Sequence, residues 1–171
     1  MQVLVPGVGG RGQEALLAQA VRVEGPHDFS ATAAAYLEAG GSRVSTAAQG
    51  GFLSERTAGP SLAAEAGLVC VAPNSAEGAR PLVAIGHGAG ALRILCASHA
   101  ACPACVDATL AALVAPASTT ALSTHGALAA VAFQRLVLGL TSAPLECFAL
   151  DADGALTPIA AARCSKHSES R

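Results

Sequence analysis

The chain has 171 residues and a mass of 16.7 kDa, a length that suits a single domain spanning 1–171. Hydrophobic residues make up 52% and charged residues 13%, with a mean hydropathy of +0.49, which excludes a wholly disordered chain. Ten basic residues against twelve acidic ones leave a net charge of −2, without the basic stripe that a nucleic-acid binder needs.

Residues 2–10 read as a Gly-rich lead, and 13–20 have helical composition. A short β-leaning stretch, 20–24, precedes the turn Gly25-Pro26-His27-Asp28. Ser30 then suits an N-cap for a helix over 30–39, with Gly40-Gly41 as its stop. Residues 45–61 are polar and Gly-rich, hence a loop. The apolar runs 67–72 and 81–85 read as strands. Residues 91–97 fit either a third strand or a helix, because periodicity does not arbitrate at that length. Residues 107–115 and 123–140 predict two helices. Strands over 145–150 and 156–161 flank the turn Asp151-Ala-Asp-Gly154. The pattern is α/β: helices and strands alternate early, and an antiparallel hairpin closes the chain.

The start of the chain, Met1-Gln-Val-Leu-Val-Pro-Gly7, has no basic region and no long apolar run, so no secretory leader is expected. The most apolar helical stretch, 126–140, is too short for a bilayer and is interrupted by Gln134 and Arg135. A soluble cytoplasmic chain with no membrane and no nucleic-acid partner is expected.

Three of the six cysteines and one of the five histidines fall in two pairs, Cys102-Pro-Ala-Cys105 and Cys164-Ser-Lys-His167. A two-residue spacer lets one tight turn present two ligands to a single ion, and zinc favours four such ligands in a tetrahedron. Alone, the first pair could equally be a redox dithiol. It follows no thioredoxin-like strand and helix start, and the second pair favours metal. Zinc held by Cys102, Cys105, Cys164 and His167 is therefore expected, in a reducing compartment. Cys70, Cys96 and Cys147 lie in apolar runs and read as small core residues. The run Pro81-Leu-Val-Ala-Ile-Gly-His-Gly-Ala-Gly-Ala91 has the outline of a hydrolase elbow, but Gly88 stands where the nucleophile would be. It also lacks the Lys and Ser/Thr of a Walker loop, so a strand turn is favoured over phosphate binding. His87 and His125 show no partner and read as surface or loop histidines.

Leu4-Val-Pro-Gly-Val-Gly-Gly-Arg-Gly-Gln-Glu-Ala-Leu-Leu17 resembles the opening of the ThiF/MoeB/HesA family, bacterial relatives of ubiquitin-activating enzymes, whose members run L-P-G-x-G-x-x-G-Q-x-x-L. The likeness continues through Ala20-Val-Arg-Val-Glu-Gly25, Ala33-Ala-Ala-Tyr36-Leu37 and Pro81-Leu-Val83. It extends to the two Cys-containing pairs and the long helix between them. It implies a Rossmann-like sheet with antiparallel closing strands and a zinc knuckle. It further implies adenylation, with ATP and magnesium, of the C-terminal glycine of a ubiquitin-like sulfur carrier. Family members are commonly dimers.

The same alignment shows where this chain departs. The nucleotide loop G-x-G-x-x-G is here Gly25-Pro26-His27-Asp28-Phe29-Ser30, so Gly25 is the one nucleotide-binding remnant. Arg43-Val-Ser-Thr46 has no ribose acid. Lys166, the single Lys, lies inside the second metal pair, and Cys70-Val-Ala-Pro-Asn74 has lost both magnesium carboxylates. The transfer loop at 118–124 carries hydroxyls and no thiol, and residues 45–67 are shortened. The resemblance thus implies a degenerate member with no catalytic residues. Such a chain would act as a non-catalytic scaffold or partner, as a homodimer or beside an active paralogue. The alternatives are an active adenylyltransferase using Arg11, Arg22, Arg56 or Arg93, and an unrelated small zinc protein or a decayed gene product that folds poorly.

Overall fold

The computed structural model describes residues 9–47, 69–71, 81–88, 91–98, 100–113, 121–151 and 153–168. Among these residues seven strands form one sheet: β1 (Ala20–Glu24), β2 (Arg43–Ala47), β3 (Val69–Val71), β4 (Leu82–Gly88), β5 (Ala91–Ala97), β6 (Leu145–Leu150) and β7 (Leu156–Ile159). Their order is β2-β1-β3-β4-β5-β6-β7. Among the described residues only β1 and β2 pair in parallel, joined by the crossover helix α2 (His27–Ala39). From β3 onward each described pairing is antiparallel, beginning with Val23 opposite Cys70. The chain is therefore a mixed α/β protein, with one βαβ unit and a long antiparallel run.

Burial of both faces at the sheet centre explains the apolar run Leu82–Ile85 of β4. On β4, Val83 and Ile85 face one side with Val21, Val23, Leu92 and Ile94, while Leu82 and Ala84 face the other with Leu95 and Ala97. Both faces are covered, so both sets must be apolar. The first face packs against α2 and the long helix α4 (Leu122–Val137). The second packs against α3 (Pro103–Leu110) through Val106 and Leu110. On α4, Leu122, His125, Gly126, Ala129, Ala130, Phe133 and Leu136 are buried, a stripe at helical spacing that seats Phe133 against the sheet. The first helix, α1 (Gly9–Leu17), buries Leu16, and the Ser42 hydroxyl donates to the Leu16 carbonyl at 3.2 Å.

Several boundaries differ from the sequence reading. Helix α2 begins at His27, with Pro26 as its N-cap. Ser30 lies inside the first turn and donates its hydroxyl to the His27 carbonyl instead of capping. Helix α3 begins four residues early because Pro103, with no N–H to lose, fits the first helical position behind Cys102. Residues 86–88 continue β4 as ladder partners of 91–93, and 91–97 is a strand. The expected turn at 151–154 is present: the Asp151 carboxylate accepts the amides of Asp153 and Ala155 at 3.0 and 2.8 Å, and Gly154 takes φ +81°. Residues 45–67, which the resemblance implies to be shortened, lie almost wholly outside the described residues. No helix among the described residues is long and apolar enough to cross a membrane.

Candidate metal centre

Helix α3 supplies the first two ligands. Cys102 is its N-cap residue, and the Cys105 and Val106 amides donate to the Cys102 carbonyl at 3.1 and 3.0 Å. This tight turn places both sulfurs on one side of the helix start. The second pair comes from the chain end, where Cys164 leads into the single-turn helix α5 (Ser165–Ser168) and the His167 amide donates to the Cys164 carbonyl at 2.9 Å.

The four side chains converge as the spacing predicts. One ligand atom from each of Cys102, Cys105, Cys164 and His167 lies within 4.8 Å of all the others. Cys102 Sγ and Cys164 Sγ are 3.9 Å apart, and His167 Nδ1 lies 3.2 Å from Cys105 Sγ and 3.4 Å from Cys164 Sγ. Zinc bonds of about 2.3 Å to sulfur and about 2.0 Å to nitrogen give tetrahedral edges of about 3.8 Å between sulfurs and about 3.5 Å from sulfur to nitrogen. The observed edges match, so the group could hold a metal ion such as zinc.

The amides of the first turn set up the thiols. At Cys102, the Cys105 amide above all holds the thiol below its ordinary value. At Cys105, the Cys164 amide acts in the same sense. Burial and the neighbouring sulfurs of Cys164 and Cys102 outweigh it, and the net shift is upward. A divalent cation would offset that repulsion and favour all three thiolates.

Thr109, which the sequence reading did not single out, docks the chain end. It is buried; its hydroxyl donates to the Cys105 carbonyl at 2.8 Å and accepts the Ala162 amide at 3.1 Å. Its only signal in the sequence is a hydroxyl between Ala108 and Leu110 in the last turn of α3. Thr109→Val should leave the Ala162 N–H without its acceptor, destabilising the protein by about 1–3 kcal/mol and weakening zinc retention. Denaturant titration, with hydrogen exchange at Ala162, checks this. Beside the four ligands a cleft of about 510 Å³ opens, bordered by Cys102, Cys105 and His167 together with Pro144 and Arg163.

The other cysteines and histidines fall elsewhere. Cys96 and Cys147 are buried strand residues, as expected. Burial, helped by the Glu146 carboxylate, pushes the Cys96 thiol up to about 12. Cys70 lies in β3. The expectation of surface or loop positions for His87 and His125 does not hold. His87 ends β4 on the face of Val83 and Ile85, and His125 is buried in the first turn of α4. Their rings meet edge-on at 6.1 Å between centroids, and His125 Nδ1 is buried without a hydrogen-bond partner among the described residues.

Burial, and secondarily His87, depress the His125 pKa below its ordinary 6.5. The unfolded chain therefore takes up this proton before the folded one, and the stability of neutral His125 is lost as pH falls below about 6.5. In urea titrations of chelator-treated protein, His125→Leu should flatten the decline between pH 6.5 and 5.

At the carboxyl end of β1 stand Gly25, which is buried, and the exposed His27 and Asp28. Only Gly25 and Pro26 separate strand from helix. Arg22 donates to Glu24 at 2.8 Å. By strand alternation Arg22 and Arg93 lie on the sheet face opposite α2, and Arg11 is exposed on α1. Arg56 lies outside the described residues. No protein-family model, no curated protein and no solved structure matches this chain.

Proposed function

We propose that this chain is a shortened relative of the ThiF/MoeB/HesA adenylyltransferases, with a Rossmann-derived sheet, a structural zinc centre and a degraded nucleotide site. In this reading it is a cytoplasmic non-catalytic scaffold. It pairs with itself or an active paralogue, or holds a ubiquitin-like sulfur carrier. The observation that carries the reading is the convergence of Cys102, Cys105, Cys164 and His167 from two distant segments. Four protein ligands leave no open position for water, so the ion's role is to tie the chain end to α3 rather than to activate a nucleophile. When bound, zinc would supply charge to keep the three thiols ionised.

The end of β1 supports loss of adenylation. A triphosphate needs free backbone donors and cationic neutralisation. Pro26 contributes no N–H, and Asp28 adds negative charge at the helix start. Arg22 is paired with Glu24 on the other face of the sheet. Isothermal titration with ATP and magnesium should give no micromolar affinity, and pyrophosphate exchange with a carrier protein should be absent. A magnesium-dependent micromolar affinity, or exchange above background, would instead make the chain a working adenylyltransferase with a remodelled site.

A further inference from the structure

The metal centre contains one sulfur pair placed for a second kind of chemistry. Cys102 Sγ and Cys164 Sγ are 3.9 Å apart, about 2 Å more than a disulfide bond length. The two residues lie 62 positions apart and are both partly exposed. Cys105 differs in its burial and in its backbone contact. It is buried, its sulfur accepts the Cys164 amide at 3.4 Å, and His167 Nδ1 sits against it at 3.2 Å. The cleft of about 510 Å³ is bordered by both Cys102 and Cys105, and of the two Cys102 is the partly exposed one, so a small oxidant reaches its sulfur from solvent. Cys96 and Cys147 are buried in the sheet and offer no competing surface thiol.

We propose that Cys102 and Cys164 are a peroxide-reactive pair, whose disulfide expels the metal while keeping the chain end fastened to α3. The inference rests on the metal-centre reading and adds its regulation. In the first step the Cys102 thiolate attacks a hydroperoxide. An S–O bond forms, the O–O bond breaks, and the leaving oxygen takes a proton to depart as water or an alcohol. In the second step the Cys164 thiolate attacks the Cys102 sulfenic acid, forming the S–S bond and releasing the hydroxyl, with a proton from solvent, as water. The two sulfurs together lose two electrons, and the peroxide gains them. Cys105 and His167 alone are too few to retain zinc. The new bond closes the same loop that the ion closed, so the docked segment keeps its Thr109 contacts.

The test exposes the full zinc-loaded chain to stoichiometric hydrogen peroxide. Released zinc is followed with a chromogenic chelator, and cross-links are mapped by mass spectrometry with fragmentation of the joined peptides. The expected result is a Cys102–Cys164 link, zinc release that tracks it, and recovery of both on adding dithiothreitol and zinc. Metal-free protein should form the same link, so a chain that never held zinc still tests the sulfur pair. In that event the metal reading fails while the cross-link stands. Cys105→Ser should keep the link and Cys102→Ser should lose it; if either variant is unfolded, the wild-type map decides alone. A dominant Cys102–Cys105 link, a link through Cys105 to Cys164, or zinc release with only sulfinic acids formed would overturn the proposal.

Discussion

Stripping the metal should lower the thermal midpoint of this protein by about 8–16 °C. A ligand held at about 1,000 times its dissociation constant stabilises by about 4 kcal/mol, and each kcal/mol moves the midpoint of a domain this size by about 2–4 °C. The sheet and its α2–α4 layer have their own core, so the chelated protein should stay folded there while residues 160–168 detach from α3. Cys105→Ser should reproduce the effect most fully. Cys105 is the buried ligand, and its sulfur also holds the Cys164 amide. His167→Ala should be the mildest ligand change, because the side chain is exposed and lies on a single helical turn near the chain end. Scanning calorimetry with and without chelator checks the series. Equal midpoints in both conditions would mean that the centre is not a fastening.

The second large effect concerns the contact between α2 and α4. A methyl group at Gly126 would lie 2.5 Å from the Phe29 carbonyl oxygen and 3.1 Å from the Ala33 nitrogen. Both obstacles are backbone, so the helices must separate. Gly126→Ala should therefore destabilise the protein by about 1–3 kcal/mol, despite the better helix propensity of alanine. Phe133→Ala, which empties a wholly buried position against the same sheet face, should cost about 3–5 kcal/mol. Gly10→Ala, where a methyl would meet nothing within 4 Å, should stay within about 0.5 kcal/mol. Urea titration separates the three. A neutral Gly126→Ala would show that the two helices do not pack this closely.

What could be read from the residues follows the range of the forces involved. The metal pairs were legible because each depends on one local turn: three-residue spacing is a property of the chain, not of the fold. That the pairs meet each other is a long-range fact, and only the count of ligands hinted at it. The apolar runs gave strands and the long helix for the same local reason. The antiparallel pairing of β3 with β1 was not legible, because a three-residue strand carries no sign of its direction. Residues 86–88 escaped as strand because glycine reads as a turn, whereas ladder bonds to 91–93 hold it extended. His125 resembled a loop residue until α4 turned it onto the sheet beside His87, 38 positions earlier in the chain. Thr109 was invisible because its partner, the Ala162 backbone, has no sequence signature.

We propose that one metal ion fastens two distant segments, Cys102–Cys105 and Cys164–His167. Elemental analysis of protein purified without chelators, read beside the absorption spectrum after cobalt substitution, tests it most directly. The expected result is about one zinc per chain and the intense visible bands of tetrahedral cobalt–thiolate coordination, both lost in a Cys102→Ser, Cys164→Ser double variant. Less than about half an equivalent of zinc, or a cobalt spectrum without thiolate character, would contradict it.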